Sequence, residues 1–233
     1  MPITVAIIGA GPLGRWLALS AARAGYRVLL EDVMPLNLRH AQEFLRQELG
    51  SELRRAGSLA ASRARKAGPS TSVAAATFAQ DDSLGGIAQD DSLGGIAQDD
   101  SLGGIAEDDG VIDVAFVSTI EDAVRQADLV IDCVPDELES KLEILWLLDR
   151  MAPPRTVLAT PTMRLSIADL ANCTYRADKV IAIAVEASAL SAGAGREILL
   201  RKAPQTSADT VALLKGFWER LGFMPRFEGL AAE

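Results

Sequence analysis

Residues 3–32, "ITVAIIGAGPLGRWLALSAARAGYRVLLED", place Gly9, Gly11 and Gly14 in the spacing G-x-G-x-x-G between an apolar run and an amphipathic one. No other stretch of the chain restricts its fold as much. Residues 3–8 are short and almost wholly apolar, as expected of a parallel strand buried on both faces. The glycine turn follows, then a helix from Pro12 to Ala24 that ends at Gly25, and then a second strand, residues 27–30, leading into Glu31 and Asp32. Each part has a task in dinucleotide binding. Gly9 permits a tight turn, Gly11 lets the backbone approach a pyrophosphate, and Gly14 lets the helix lie close to the strand. Pro12 and Leu13 open the helix, whose N-terminus favours phosphate, and are counted with the glycines as cofactor residues. Asp32 stands 18 residues beyond Gly14, near the spacing at which an acid accepts the adenosine ribose hydroxyls and repels a 2′-phosphate. NAD is therefore expected over NADP. Glu31 is the rival acid, and strand alternation should turn it to the opposite face from Asp32.

A long helix is expected from Pro35 to Ala56, with His40 on its solvent side. Apolar periodicity then lapses until residues 111–118, "VIDVAFVS", which read as a strand. Helix 119–127 opens with Thr119 and Asp122 as a capping box. Strand 128–135, helix 136–152, strand 156–162, helix 166–174 with Ser166 as N-cap, and strand 179–185 follow, then 196–202, helix 207–222 and 224–228. Strands alternating with helices imply an α/β fold: a Rossmann-type, doubly wound, mostly parallel sheet whose last pieces turn antiparallel. One dinucleotide-binding domain over 1–233 is expected, with a low-complexity insertion at 58–110.

Charge and composition exclude several alternatives. Ten acidic residues lie between Ala79 and Val114, a window without Lys or Arg, so the net charge of −9 is local. Arg54, Arg55, Arg63, Arg65 and Lys66 form a basic stretch without interleaved aromatics, which argues for solvated charge rather than a nucleic-acid footprint. Cys133 and Cys173 sit in apolar contexts and suit a reducing compartment, with no disulfide framework and no metal site. No run of eighteen apolar residues is present, so no membrane span is expected. Residues 1–11 lack a basic leader, and a cytoplasmic protein is expected.

Four stretches together carry a family resemblance: "VAIIGAGPLGRWLALSAARAGYRVLLEDV", "ADLVIDCVPDELESKLEILWLLDRMAPPRTVLATPT", "LSIADLA" and "RKAPQTSADTV". The chain resembles the NAD-binding domain of the 3-hydroxyacyl-CoA dehydrogenase family, except over roughly residues 58–110. The resemblance implies that Asp136 and Lys141 lie against the nicotinamide side of the cofactor. It also implies oxidation of an acyl-CoA 3-hydroxyl, with hydride passing to nicotinamide and the proton to a histidine oriented by a glutamate. Here the pattern breaks. The family's His-Phe-Phe-Asn-Pro motif is matched by "AVEAS", with Ala184 at the histidine and Ala187 at the asparagine. Its Asn-Thr-Ser-Ser turn is matched by "PTMR", with Pro161 at the asparagine and Met163 at the serine. Leu199 falls at the glutamate position, with Glu197 nearby. The expectation is an NAD(H)-binding protein without the standard dehydrogenase activity on its own, with no catalytic residue assigned. The alternative is a working oxidoreductase on a 3-hydroxyacyl-CoA or related hydroxy acid, using an unusual base such as Glu186 or a separate helical partner chain. The family's helical second domain completes its acyl-CoA cleft and much of its dimer interface, so a homodimer is also an expectation of the resemblance.

The lapse in periodicity contains AQDDSLGGI three times without change, from Ala79 to Ile105, and a decayed copy from Ala106. Read as a calcium-binding nonapeptide, it puts Ala88 where the third glycine belongs and Leu93 one place late. An acidic insertion that leaves the sheet intact, poorly ordered or a loose surface arm, is the expectation, not a metal-binding solenoid.

Overall fold

The computed structural model describes residues 3–66, 113–185 and 197–229. The chain divides into two compact units, residues 1–47 with 101–233, and residues 48–100. The repeats, Glu186 and Ala187 lie outside the described residues.

The first unit is an eight-stranded sheet. Its strands are β1 (Thr4–Ile8), β2 (Arg27–Glu31), β3 (Val114–Val117), β4 (Leu129–Asp132), β5 (Val157–Pro161), β6 (Val180–Ala184), β7 (Glu197–Lys202) and β8 (Met224–Gly229). Their spatial order is β3-β2-β1-β4-β5-β6-β7-β8. The first six are mutually parallel, β7 runs antiparallel to β6, and β8 is parallel to β7. The order 3-2-1-4-5-6 reverses at β1/β4, the switch point where a doubly wound sheet opens a ligand crevice. The expected Rossmann-type sheet is therefore present, including its antiparallel end.

Local chemistry explains the helices that frame the crevice. α1 (Pro12–Arg23) begins with Pro12, whose fixed φ suits a first helical position, and no side chain caps its start at Gly11. α3 (Ile120–Val124) is capped by Thr119, whose hydroxyl accepts from the Asp122 amide at 3.2 Å and donates to the Asp122 carboxylate at 2.7 Å. In α5 (Ile167–Asn172) Ser166 accepts from the Asp169 amide. α4 (Leu138–Met151) and α6 (Ala208–Arg220) complete the layers. Every residue of β1, β4 and β5 is buried, as expected where helices cover both faces of a parallel sheet. One core cluster joins Ala6, Ile8, Leu29 and Val130 to Val124, Ile144, Leu145 and Leu170, from α3, α4 and α5. On the other side, Trp218 of α6 is fully buried and meets Phe217 and Phe223 edge-on.

One boundary differs from expectation. α2 runs Pro35–Lys66, ten residues past Ala56. Seven of the ten added residues are Ala, Arg, Leu or Lys, and their intrinsic preference favours a helix without an apolar stripe, against the contrary preference of Gly57. The described part of the second unit, residues 48–66, is this helix.

Candidate functional site

The glycine turn is built as its spacing implies. Gly9 adopts φ +102° and donates its amide to the Glu31 carbonyl at 2.8 Å, tying β1 to β2. A Cβ on Gly14 would lie 1.9 Å from the Gly9 carbonyl oxygen, so only glycine allows α1 this close to the turn. A Cβ on Gly11 would meet nothing within 4 Å. The space over Gly11 is open, and no side chain caps the first turn of α1, which leaves its first amides available to an anion. These features fit a dinucleotide pyrophosphate.

A cavity of about 520 Å³ adjoins the turn, lined among others by Gly9, Gly11, Glu31, Asp32, Asn37 and Cys133. Asp32 is buried. Its Oδ2 accepts from the Ala10 amide at 2.8 Å and its Oδ1 from the Met34 amide at 2.8 Å. Asn37 Nδ2 donates to both oxygens at 3.1 Å. The acid at the end of β2 thus fastens the glycine turn to the start of α2. No sequence motif marked Asn37, five residues along, because it acts only once the helix has turned it back. Glu31 borders the same cavity. Burial, and secondarily the charge of Asp32, pushes its carboxyl up to about 7. Burial likewise raises the Cys133 thiol far above its ordinary value, so it is protonated and inert.

A second cavity of about 420 Å³ is lined by Leu13, Val134, Asp136, Pro161, Thr162, Met163, Arg164 and Val185. Leu13, in the first turn of α1, lines this second cavity, Pro12 lines neither, and Val134 lines both. Asp136 accepts the Met163 amide at 2.9 Å, bracing the turn after β5. The Thr162 carbonyl accepts from Arg201 at 2.6 Å. Lys141 lines neither cavity. It is fully buried on α4, with its ammonium 2.5 Å from the Asp132 carboxylate. A buried amine needs such a partner, and Asp132, at the end of β4, supplies it within the fold. Burial nonetheless raises the Asp132 carboxyl to about 6, against the opposing pull of Lys141.

The positions matched to the family's base and its orienting acid are neighbours. Ala184 and Leu199 are register partners across β6 and β7. Neither side chain can move a proton. Met163 is half exposed at the cavity wall. Glu197 is exposed and paired with Arg226 at 3.1 Å, and His40 is exposed on α2. Among the described residues, the ionisable side chains lining the second cavity are Asp136 and Arg164. No described helix is long and apolar enough to cross a membrane.

The family model described as "3-hydroxyacyl-CoA dehydrogenase, NAD binding domain" matches residues 4–84 and 88–225. Among curated proteins, the chain is 37% identical over 68 residues to the probable 3-hydroxybutyryl-CoA dehydrogenase of Bacillus subtilis, covering 29% of this chain and 23% of that one. It is 32% identical over 116 residues to the mitochondrial hydroxyacyl-coenzyme A dehydrogenase of Sus scrofa, covering 47% of this chain and 35% of that one. These matches span about a quarter to a third of the curated relatives. Among solved structures, (S)-3-hydroxybutyryl-CoA dehydrogenase from Ralstonia eutropha superposes with a TM-score of 0.68 at 19% identity, over 99% of this chain and 65% of that one. Prephenate dehydrogenase from A. aeolicus superposes with a TM-score of 0.58 at 14% identity, over 98% of this chain and 60% of that one. At these identities the superpositions show the fold.

Proposed function

Because this chain belongs to the family of 3-hydroxyacyl-CoA dehydrogenase NAD-binding domains, we propose that it binds NAD(H) across β1 and β4 but does not by itself carry out the standard dehydrogenase reaction. One observation carries the second half of that statement. The strand pair that would present a base and its orienting acid presents Ala184 opposite Leu199.

The chain's own residues divide the work. Gly11 leaves room for the pyrophosphate, and Gly14 sets α1 close enough to direct its first turn at it. Asp32, held by the Ala10 and Met34 amides, fixes the turn and keeps negative charge where a 2′-phosphate would fall. Asp136 secures the turn at Met163 beside the second cavity. Bound NAD supplies hydride acceptance and donation. The proton of a substrate hydroxyl then needs an acceptor, and Ala184, Leu199 and Met163 offer none. Losing one general base or oxyanion donor costs about 10²–10⁴-fold, and here several such positions are apolar together.

Titration with NADH, followed by its fluorescence, and a turnover assay with acetoacetyl-CoA plus NADH test both halves. Saturable NADH binding is expected, with no oxidation of NADH above the protein-free rate. Multiple turnovers at the rate of an intact dehydrogenase would overturn the assignment of Ala184 and Met163 as disabling. The absence of NADH binding would overturn the cofactor reading.

A further inference from the structure

The wall of the first cavity is mostly apolar, formed by Ile8, Val33, Met34, Ile120, Val134 and Ile144. Such a lining suits the flat faces of a purine. Glu31 interrupts it. Leu29 packs in one cluster with Ile8, Ile144 and the α3 residues, and strand alternation puts Glu31 on Leu29's side of the sheet. The residue is 4% exposed. Among the described residues no hydrogen bond or ion pair reaches its carboxyl; the influences on it are burial and the neighbouring Asp32. A buried carboxyl without a partner is costly, and an aliphatic residue would suit the strand better.

Asp32 presents the opposite case. A carboxylate has about four lone-pair sites. Ala10, Met34 and Asn37, which bonds to both oxygens, already occupy that many on Asp32. The acid that motif spacing assigns to the ribose is therefore engaged by the fold. The acid with acceptor capacity left, bordering the same cavity, is Glu31.

We propose that Glu31 is a specificity-determining residue of the dinucleotide site, accepting a hydrogen bond from a donor of the adenosine half, either a ribose hydroxyl or the adenine 6-amino group, while Asp32 holds the glycine turn. The proposal rests on the NAD(H) reading above. It explains why a strand residue paired in register with Ile8, on a cavity wall shared with Ile120, carries an acid: the dinucleotide supplies the missing donor.

The test uses the whole chain, with NADH affinity from fluorescence titration and Tm from thermal melts. Glu31→Met should melt at or above the wild-type temperature, since it removes a desolvated carboxyl, yet bind NADH at least tenfold more weakly. Glu31→Gln keeps an acceptor oxygen and should stay within threefold of wild type. The reduced hypoxanthine analogue lacks the 6-amino group, and the 2′- and 3′-deoxyadenosine analogues lack one hydroxyl each. One of these should bind wild type at least fivefold more weakly than NADH and lose that deficit in Glu31→Met, which identifies the donor. A cooperatively melting Glu31→Met that binds NADH within twofold of wild type would overturn the proposal. Should that variant not fold, a wild type that binds every analogue within twofold of NADH overturns it equally. A wild type that binds no NADH sinks the dinucleotide reading itself, and is told apart from a failure of Glu31 because no variant is involved.

Discussion

At the scale of single residues, the two acids that close β2 have opposite energetics. Asp32 is satisfied by four contacts and anchors a turn. Glu31 is buried and raised from 4.5 to about 7. A carboxyl raised in the folded state binds its proton more tightly there than in the unfolded chain. Its penalty is therefore absent below about pH 4.5, grows between 4.5 and 7, and is complete above 7. Its size is on the order of 2 kcal/mol, below the full linkage value because water reaches the cavity it borders. Wild-type stability should thus fall as pH rises from 5 to 7.5, and Glu31→Gln should flatten that slope. Urea unfolding of both proteins across this range checks it, and parallel slopes would refute the role given to Glu31. Spacing alone placed both acids at the end of β2, because a strand has a period of two. It could not show that Asp32 is occupied, because its donors come from a turn, a loop and a helix that meet only in the fold. Lys141 illustrates the same limit. Its partner Asp132 ends an otherwise apolar strand, and neither residue's burial is visible until α4 crosses β4.

At the scale of elements, β1, the glycine turn and α1 were legible from spacing, because Gly9 meets a positive φ and Gly14 a close backbone approach that other residues cannot meet. The two later glycines of the turn should separate stability from binding. A Cβ at Gly14 would meet the backbone of Gly9 at 1.9 Å, and backbone cannot yield as a flexible side chain does. Gly14→Ala should therefore destabilise the protein by about 1–3 kcal/mol or more. Gly11 has ordinary backbone angles, φ −66° and ψ −174°, and open space around it. Threonine is about as good an N-cap as glycine. Gly11→Thr should keep Tm within a few degrees while weakening NADH at least tenfold, because its side chain fills the space left for pyrophosphate. Melts and titrations of the two variants check this, and unchanged NADH affinity in Gly11→Thr would mean that the opening is not the phosphate site. The end of α2 was less legible than these elements. Its extension to Lys66 rests on intrinsic preference, which leaves no apolar period to read.

At the scale of the whole molecule, the repeat-bearing segment connects α2 to β3 within an otherwise continuous design. β2 and β3 pair in parallel from Val28 opposite Val114 to Glu31 opposite Val117. The Val28 amide donates to the Asp113 carbonyl at 2.8 Å. The described sheet therefore resumes its register at residue 113. Residues 67–112 make a 46-residue connection, and the three identical copies, 79–105, account for 27 of them. Removing those copies leaves 19 residues, which reach at most about 65 Å. α2, with 32 residues, is about 48 Å long, so the shortened connection can retrace its full length. Shortening the connection from 46 to 19 residues lowers its closure cost by about 0.8 kcal/mol. In a domain of this size that corresponds to a rise in Tm of about 2–3 °C. The chain lacking 79–105 should thus melt cooperatively, at or slightly above the wild-type temperature. It should bind NADH within twofold of wild type, because the glycine turn, Glu31, Asp32 and Asp136 all lie outside the deleted copies. A lower Tm by more than about 5 °C, or a tenfold loss of NADH affinity, would instead make the repeats part of the folded unit that holds the dinucleotide.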